Sequence, residues 1–205
     1  MARRYFIPQS SLGDPEFIAE LMTGLHSMLI HHGAAFDLKN VAPPRAGVRY
    51  WWYAESRGRG AIVVTDDGQM PPLGRPVRYL SVEGSDEFVR ECGGWVEKYV
   101  PFIPVPELQR AVREHREDEP TFLVVLAMAA GEEPDPTSVE LILDALNAED
   151  DAVRYTAVFV GSLVSWKQLD EPLRDREQHD ASPDVRKLAA NVLAAREAQD
   201  GAAGG

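Results

Sequence analysis

The sequence predicts an α+β fold: a helix, a three-stranded antiparallel sheet and a second helix, followed by a short all-α helical repeat. Aromatic residues crowd the segment 48–54, where large side chains alternate between two faces as in a β-strand. Near the C-terminus a short Val-Arg pattern occurs twice, and its two arginines are 32 residues apart. A fixed period in this range indicates stacked helical hairpins.

The boundary between the two regions is predicted at a proline-rich segment. Three prolines fall within residues 101–106, where they interrupt any helix and stiffen the connection. We therefore predict one α+β domain over 1–104, a helical repeat domain over 105–199 and a disordered tail over 200–205.

Local signals place the elements of the N-terminal region. Asp14 followed by Pro15 begins a helix, apolar residues then recur at helical spacing, and Gly33 ends it. Strands are predicted over 48–54, 61–65 and 77–82, with turns over 56–60 and 66–68. Ser85 begins the second helix.

The C-terminal region reads as about six helices. Their predicted ranges are 106–116, 120–130, 136–148, 151–165, 169–177 and 182–198. The segment 169–177 has the weakest helical signal, since Pro172 interrupts it.

The two copies of the Val-Arg pattern share a loop aspartate, the dipeptide, and an alanine three positions after the arginine. The structural motif residues are Asp150, Val153 and Arg154 in the first copy and Asp184, Val185 and Arg186 in the second. On these residues the segment 107–198 resembles the HEAT-like helical repeats. The resemblance implies paired antiparallel helices stacked into a short solenoid, with both valines pointing into the stack. We expect the two arginines to bond acidic neighbours in the inter-helix loops, such as Asp150 or Asp184, which is a structural role.

The two regions differ sharply in net charge. The formal net charge is −12, yet residues 1–104 carry 11 basic and 12 acidic side chains, whereas residues 105–205 carry 10 and 21. An acidic surface repels phosphate backbones and suits cationic partners. The helical region therefore predicts a basic protein partner and disfavours nucleic acid.

A nucleic-acid surface on the predicted sheet is the opposing hypothesis. Basic and aromatic side chains alternate there, as they do on surfaces that stack bases and hold phosphates. The candidate binding residues are Arg49, Trp51, Tyr53, Arg57, Arg59 and Arg78. The same patch is suited to docking on an acidic helical region, within the chain or in a second copy.

No catalytic signature, cofactor motif or metal-ligand spacing stands out. His31 and His32 lie five and six positions after His26, whereas a pair of metal ligands on one helix face needs a spacing of three or four. Cys92 has no histidine near it in the sequence to act as a base. We therefore expect no catalytic residue, no bound metal and no cofactor.

These observations favour a non-enzymatic protein-interaction module, such as an adaptor, a regulator or an immunity-type inhibitor. A small-molecule or enzymatic site between the aromatic sheet and the helical stack stays open as an alternative, as does homo-oligomerisation. The N-terminal residues make a poor signal peptide, and the longest apolar run is too short to span a bilayer. With a single cysteine it predicts a reduced, cytoplasmic protein.

Overall fold

The computed structural model describes residues 2–8, 16–33, 35–39, 41, 48–70 and 75–203. The chain divides into two compact units, Met1–Ile103 and Pro104–Gly205. The first combines a sheet with two helices and the second is helical, which confirms the predicted α+β class.

The first unit contains a five-stranded sheet rather than the predicted three-stranded one. Its strands are β1 (Ala2–Phe6), β2 (Phe36–Lys39), β3 (Val48–Glu55), β4 (Gly60–Met70) and β5 (Arg75–Gly84). Their order across the sheet is β1-β5-β4-β3-β2, and all neighbours are antiparallel. The prediction missed β1 and β2, which form the two edges of the sheet.

Strand β4 also runs past the turn predicted over 66–68. It extends to Met70, and its pairing with β5 becomes irregular only between Asp67 and Met70. Asp66 is buried in this strand and accepts hydrogen bonds from Arg49 and Arg78. Aspartate usually favours turns, but here the cations on both neighbouring strands hold it within the sheet.

Two helices, α1 (Glu16–His31) and α2 (Asp86–Tyr99), contribute to the hydrophobic core of this unit together with the sheet. The predicted α1 start at Asp14 and Pro15 lies outside the described residues, whereas its predicted end is confirmed by Gly33, whose φ is 61°. The core is built from buried side chains of both helices and the three strands β1, β4 and β5: Phe6, Leu21, Leu25, Met28, Leu29, Ile62, Val64, Leu80, Val82, Phe88, Val89, Cys92, Val96 and Val100.

The second unit is a stack of six α-helices and a short 3-10 helix. The helices are α3 (Val105–His115), α4 (Thr121–Ala130), α5 (Pro136–Leu146), α6 (Asp151–Val160), α7 (Asp170–His179) and α8 (Pro183–Ala203), and the 3-10 helix is Lys167–Leu169. Consecutive helices pack as the pairs α3–α4, α5–α6 and α7–α8. The pairs then stack in two layers, α3 on α5 on α7 and α4 on α6 on α8.

Several boundaries in this unit differ from the prediction: α5 ends at Leu146 rather than at residue 148, and α6 ends at Val160 rather than at about residue 165. The segment expected to be weakly helical is a regular helix, because Pro172 lies in the first turn of α7, where its missing N–H costs no helical hydrogen bond. Pro106 likewise lies inside the first turn of α3. Helix α8 continues to Ala203, past residue 200, where the tail was expected to begin.

The small and β-branched residues of the repeated pattern lie inside the stack. Val153, Val185, Ala157 and Ala189 are all buried. The side chain of Asp150 caps α6 by accepting hydrogen bonds from the N–H groups of residues 152 and 153. The first copy of the pattern therefore both begins its helix and packs it.

Candidate functional site

The arginine of the first repeat copy spans two inter-helix loops. Arg154 Nε donates to Asp180 Oδ2 at 2.9 Å, and its Nη2 donates to Asp180 Oδ1 at 3.1 Å. Its Nη1 donates to the carbonyl oxygens of Ala148 and Glu149 at 2.9 and 2.6 Å. The bidentate partner is Asp180, at the end of α7, rather than Asp150 or Asp184, which the sequence had suggested.

Burial shapes the ionisation of this pair. The side chain of Asp180 is fully buried, and that of Arg154 is nearly so. Burial acts to raise the pKa of Asp180, but hydrogen bonds from Arg154 and from the Ser182 N–H outweigh it and hold the pKa below its usual value. The carboxylate is therefore ionised and fully engaged at neutral pH.

Three other arginines of the stack also point inward. Arg186 donates to the carbonyl oxygens of Asp180 and Ala181. Arg196 donates to the carbonyl oxygens of Gly161, Val164 and Trp166 and pairs with Asp170 at 2.8 Å. Arg176 pairs with both Asp175 and Asp180. These cations hold loops and helix ends together, so they contribute little positive charge to the surface.

Carboxylates dominate the edge of the stack that carries the loops within the helix pairs. We call acidic edge the exposed carboxylates of these loops and of the adjoining helix ends: Glu117, Asp118, Asp144, Glu149, Asp150, Asp151 and Asp184. Exposed Arg113 also lies at one of these helix ends. The contacts of Arg154 bring the loop between α5 and α6 next to the loop between α7 and α8. The acidic edge is therefore continuous across at least these two pairs.

A depression of about 410 Å³ lies in the acidic edge between the first two helix pairs. Glu117, Asp144 and Glu149 line it together with Arg116, Asn147 and Ala148. The only cation in this lining, Arg116, already donates to Glu117 at 3.3 Å. The depression consequently keeps a net negative charge and is open to a cationic side chain.

The basic residues predicted to form a nucleic-acid surface are largely neutralised. Arg49 and Arg78 both pair with buried Asp66. Arg59 pairs with Glu55 at 3.3 Å and with Glu91 at 3.0 Å. The Arg57 side chain is exposed in the turn between β3 and β4.

The two aromatic candidates face the core of the first unit. Trp51 and Tyr53 are partly buried and pack against the core cluster, and the hydroxyl of Tyr53 lies 3.6 Å from the sulfur of Met22. Burial raises the pKa of Tyr53. Neither ring is presented as a free stacking platform for bases.

We expect the protein to bind nucleic acid poorly at physiological salt. The paired arginines leave few cations to release counterions from phosphates, and counterion release drives most such binding. An anisotropy titration with labelled single- and double-stranded oligonucleotides at about 150 mM salt should show no sub-micromolar binding. Tight, steeply salt-dependent binding that is lost with Arg49→Gln, Arg57→Gln and Arg59→Gln would contradict this expectation.

A polar cluster on β1, β3 and β5 was missed by the sequence analysis. Arg3 pairs with Glu83 at 2.9 Å and donates to the Tyr5 hydroxyl at 3.1 Å, while the Ser81 hydroxyl donates to Glu83 at 2.8 Å. Two effects raise the pKa of Tyr50 to about 12: burial, which is the larger, and the nearby Glu83 carboxylate. Recognising the alternation of residues 2–6 as a strand would have placed Arg3 and Tyr5 in the sheet.

His32 and the cysteine have packing roles. His32 stacks on Trp95 with ring centroids 4.4 Å apart. Cys92 is fully buried, and burial raises the pKa of its thiol to about 12, which opposes thiolate formation. In the described part of the chain, no group of three or more histidine, cysteine or carboxylate side chains is placed to hold a metal ion.

Comparison with known protein families, curated proteins and solved structures finds no match to this chain. Among the described helices, none combines the length and the apolar character that a membrane crossing requires. The site is therefore interpreted from its own geometry and charge.

Proposed function

We propose that the chain is a non-enzymatic protein-interaction module, such as an adaptor, a regulator or an immunity-type inhibitor, that binds a basic protein through the acidic edge. The observation that carries this proposal is the sorting of charge at the acidic edge of the helical unit. Arg154, Arg186 and Arg196 point inward onto carbonyl oxygens and carboxylates. The carboxylates of the acidic edge face solvent.

This sorting favours a cationic partner for two physical reasons. Exposed carboxylates of one sign create a field that steers a positively charged protein and raises its association rate. The depression beside Glu117, Asp144 and Glu149 has room for a lysine or arginine side chain, which would gain charge-assisted hydrogen bonds there. A stack of helical pairs, as in the HEAT-like repeats that the sequence resembles, also offers an extended surface.

We further propose that the protein acts in the cytoplasm. Its only cysteine, Cys92, is buried in the core with a raised thiol pKa, so the fold needs no oxidising compartment to be stable.

We expect neutralisation of the depression to weaken partner capture by at least about tenfold. The chain would be immobilised and exposed to native cell extract at about 150 mM salt, and retained basic proteins would be quantified by mass spectrometry. The variant carries Glu117→Gln, Asp144→Asn and Glu149→Gln. The matched control, with three exposed carboxylates outside the depression neutralised, carries Glu132→Gln, Glu133→Gln and Glu140→Gln.

The wild-type chain and the control should retain the same basic partner, and the variant should retain at least about tenfold less. Raising the salt concentration should weaken capture by the wild type, because exposed charge pairs are screened. Equal retention by all three chains, or retention that nuclease treatment abolishes, would contradict the proposal.

A further inference from the structure

Exposed apolar side chains gather at one place in the first unit. Ile30, Leu38 and Val41 are 67%, 59% and 40% exposed, and they are the exposed large hydrophobic residues of the part of the chain that the structure describes. Ile30 and Leu38 flank an apolar cleft of about 430 Å³ between α1 and β2, which Leu29, Phe36 and Tyr53 also line. Solvent-exposed apolar surface concentrated in one patch is typical of an interaction site.

The patch adjoins the free edge of β2. Among the described strands, β2 pairs only with β3, so no described strand occupies its other side. The N–H of Ser56 donates to the carbonyl oxygen of Ala35 at 2.9 Å, and these residues lie directly opposite each other in the β2–β3 register. Because hydrogen-bonded pairs alternate in an antiparallel ladder, residues 37 and 39 also bond to β3, and the backbone groups of Phe36 and Leu38 point outward.

We propose that this edge pairs with the same edge of a second copy of the chain, antiparallel and centred on Leu38. In this register Leu38 exchanges both backbone hydrogen bonds with Leu38 of the second copy, as its outward-pointing groups require. Two five-stranded sheets then join into one sheet of ten strands, related by a two-fold axis.

Charge complementarity selects a second copy and this register. Asp37 and Lys39 flank Leu38 on the opposite face of the strand, where they form an ion pair at 3.0 Å within one chain. In the proposed register, Asp37 of each copy lies directly opposite Lys39 of the other, at non-hydrogen-bonded positions where side chains approach most closely. A register shifted by two residues would instead oppose Asp37 to Asp37, which is repulsive.

The remaining forces also permit self-association here. Pairing removes Leu38 from water on both copies and brings the neighbouring apolar surface of Ile30 to the interface. Residues 1–104 have a net charge of only −1, so the two sheets repel each other weakly. The larger negative charge of the whole chain is screened beyond about 8 Å at physiological salt.

The test measures the oligomeric state of the full chain by sedimentation velocity between about 1 and 100 µM, at about 150 mM salt. The wild type should dimerise. Asp37→Lys and Lys39→Asp should each raise the dimer dissociation constant about tenfold or more, because each places like charges opposite each other at two positions. An equimolar mixture of these variants should dimerise again, since the positive edge of one faces the negative edge of the other.

Glu140→Lys is the matched control: it reverses one exposed charge on α5 and should dimerise as the wild type does. Circular dichroism verifies that every variant is folded. A wild type that is monomeric at about 100 µM would overturn the proposal, as would variants that dimerise unchanged or a mixture no better than its components. A wild-type monomer that uses this edge to bind a different protein would overturn it equally.

Discussion

Replacing Asp180 by alanine is expected to lower the free energy of unfolding by about 3–5 kcal/mol. The carboxylate is buried and accepts two hydrogen bonds from Arg154 and one from the Ser182 N–H. Its removal leaves the guanidinium of Arg154 buried without its counter-charge, which costs more than the pair itself contributes. Chemical denaturation monitored by circular dichroism gives the change directly.

The matched control is Glu133→Ala, which removes an exposed carboxylate from a loop of the same unit and should change stability by less than about 0.5 kcal/mol. Arg154→Met should also be strongly destabilising, and the double variant should lose less than the sum of the single changes, because both act on one interaction. Additive losses would show that the two side chains contribute independently, against the geometry described.

The pH dependence of the same pair has a defined sign. The pKa of Asp180 in the folded chain is held below its unfolded value of about 3.9. Its stabilising effect is therefore fully present above about pH 4 and is lost as the pH falls through the folded pKa. The difference in stability between the wild type and Asp180→Ala should shrink below about pH 4, whereas a difference that grows on acidification would contradict the assignment.

Gly60→Ala is expected to cost about 3 kcal/mol in the first unit. A methyl group at this position would overlap the backbone carbonyl oxygen of Glu83 and the ring of Phe88. Neither neighbour moves easily, because Glu83 is paired in β5 and Phe88 is fully buried in the core. Thermal unfolding of the full chain should therefore begin at a lower temperature in the variant.

Gly94→Ala serves as the control for this substitution. Gly94 lies inside α2, and nothing stands within 4 Å of the position that its Cβ would take. Alanine should stabilise the helix there by about 0.5–1 kcal/mol, because glycine loses more backbone entropy on folding. If Gly60→Ala unfolds at the same temperature as the wild type, the close approach between β4 and α2 is not what excludes a larger residue at this position.

The sequence predicted the elements that have strong local signals. The central strands β3, β4 and β5 and most helices follow from aromatic or apolar periodicity and from caps such as Ser85 and Asp150. The edge strands were missed because they carry weak signals: β1 begins with Ala2-Arg3-Arg4, and β2 is only four residues long. Edge strands bury less of their surface, so the alternation that identifies central strands is diluted.

Non-local pairing explains why the partners of the candidate residues could not be predicted. Asp180 lies 26 residues from Arg154 in the chain, and local charge pointed instead to Asp150, which caps its own helix. Arg49 and Arg78 were predicted to belong to a nucleic-acid surface, because nothing local places Asp66 between them. The acidity of the helical region could be predicted from composition. The separation of its exposed carboxylates from the arginines that point inward could be seen only in the fold.

The position of β1 has a consequence for biosynthesis. Its register joins Ala2 to Gly84 and Phe6 to Leu80. The first strand of the sheet to be synthesised, β1, therefore cannot pair until the last one, β5, has been synthesised. The hairpins between β3, β4 and β5 can close as they emerge from the ribosome, whereas β1 requires a contact across nearly the whole unit, which is entropically slow. Until β5 is complete, Tyr5 and Phe6 remain on a nascent chain with no docking edge, and chaperones have their longest opportunity to act on that segment.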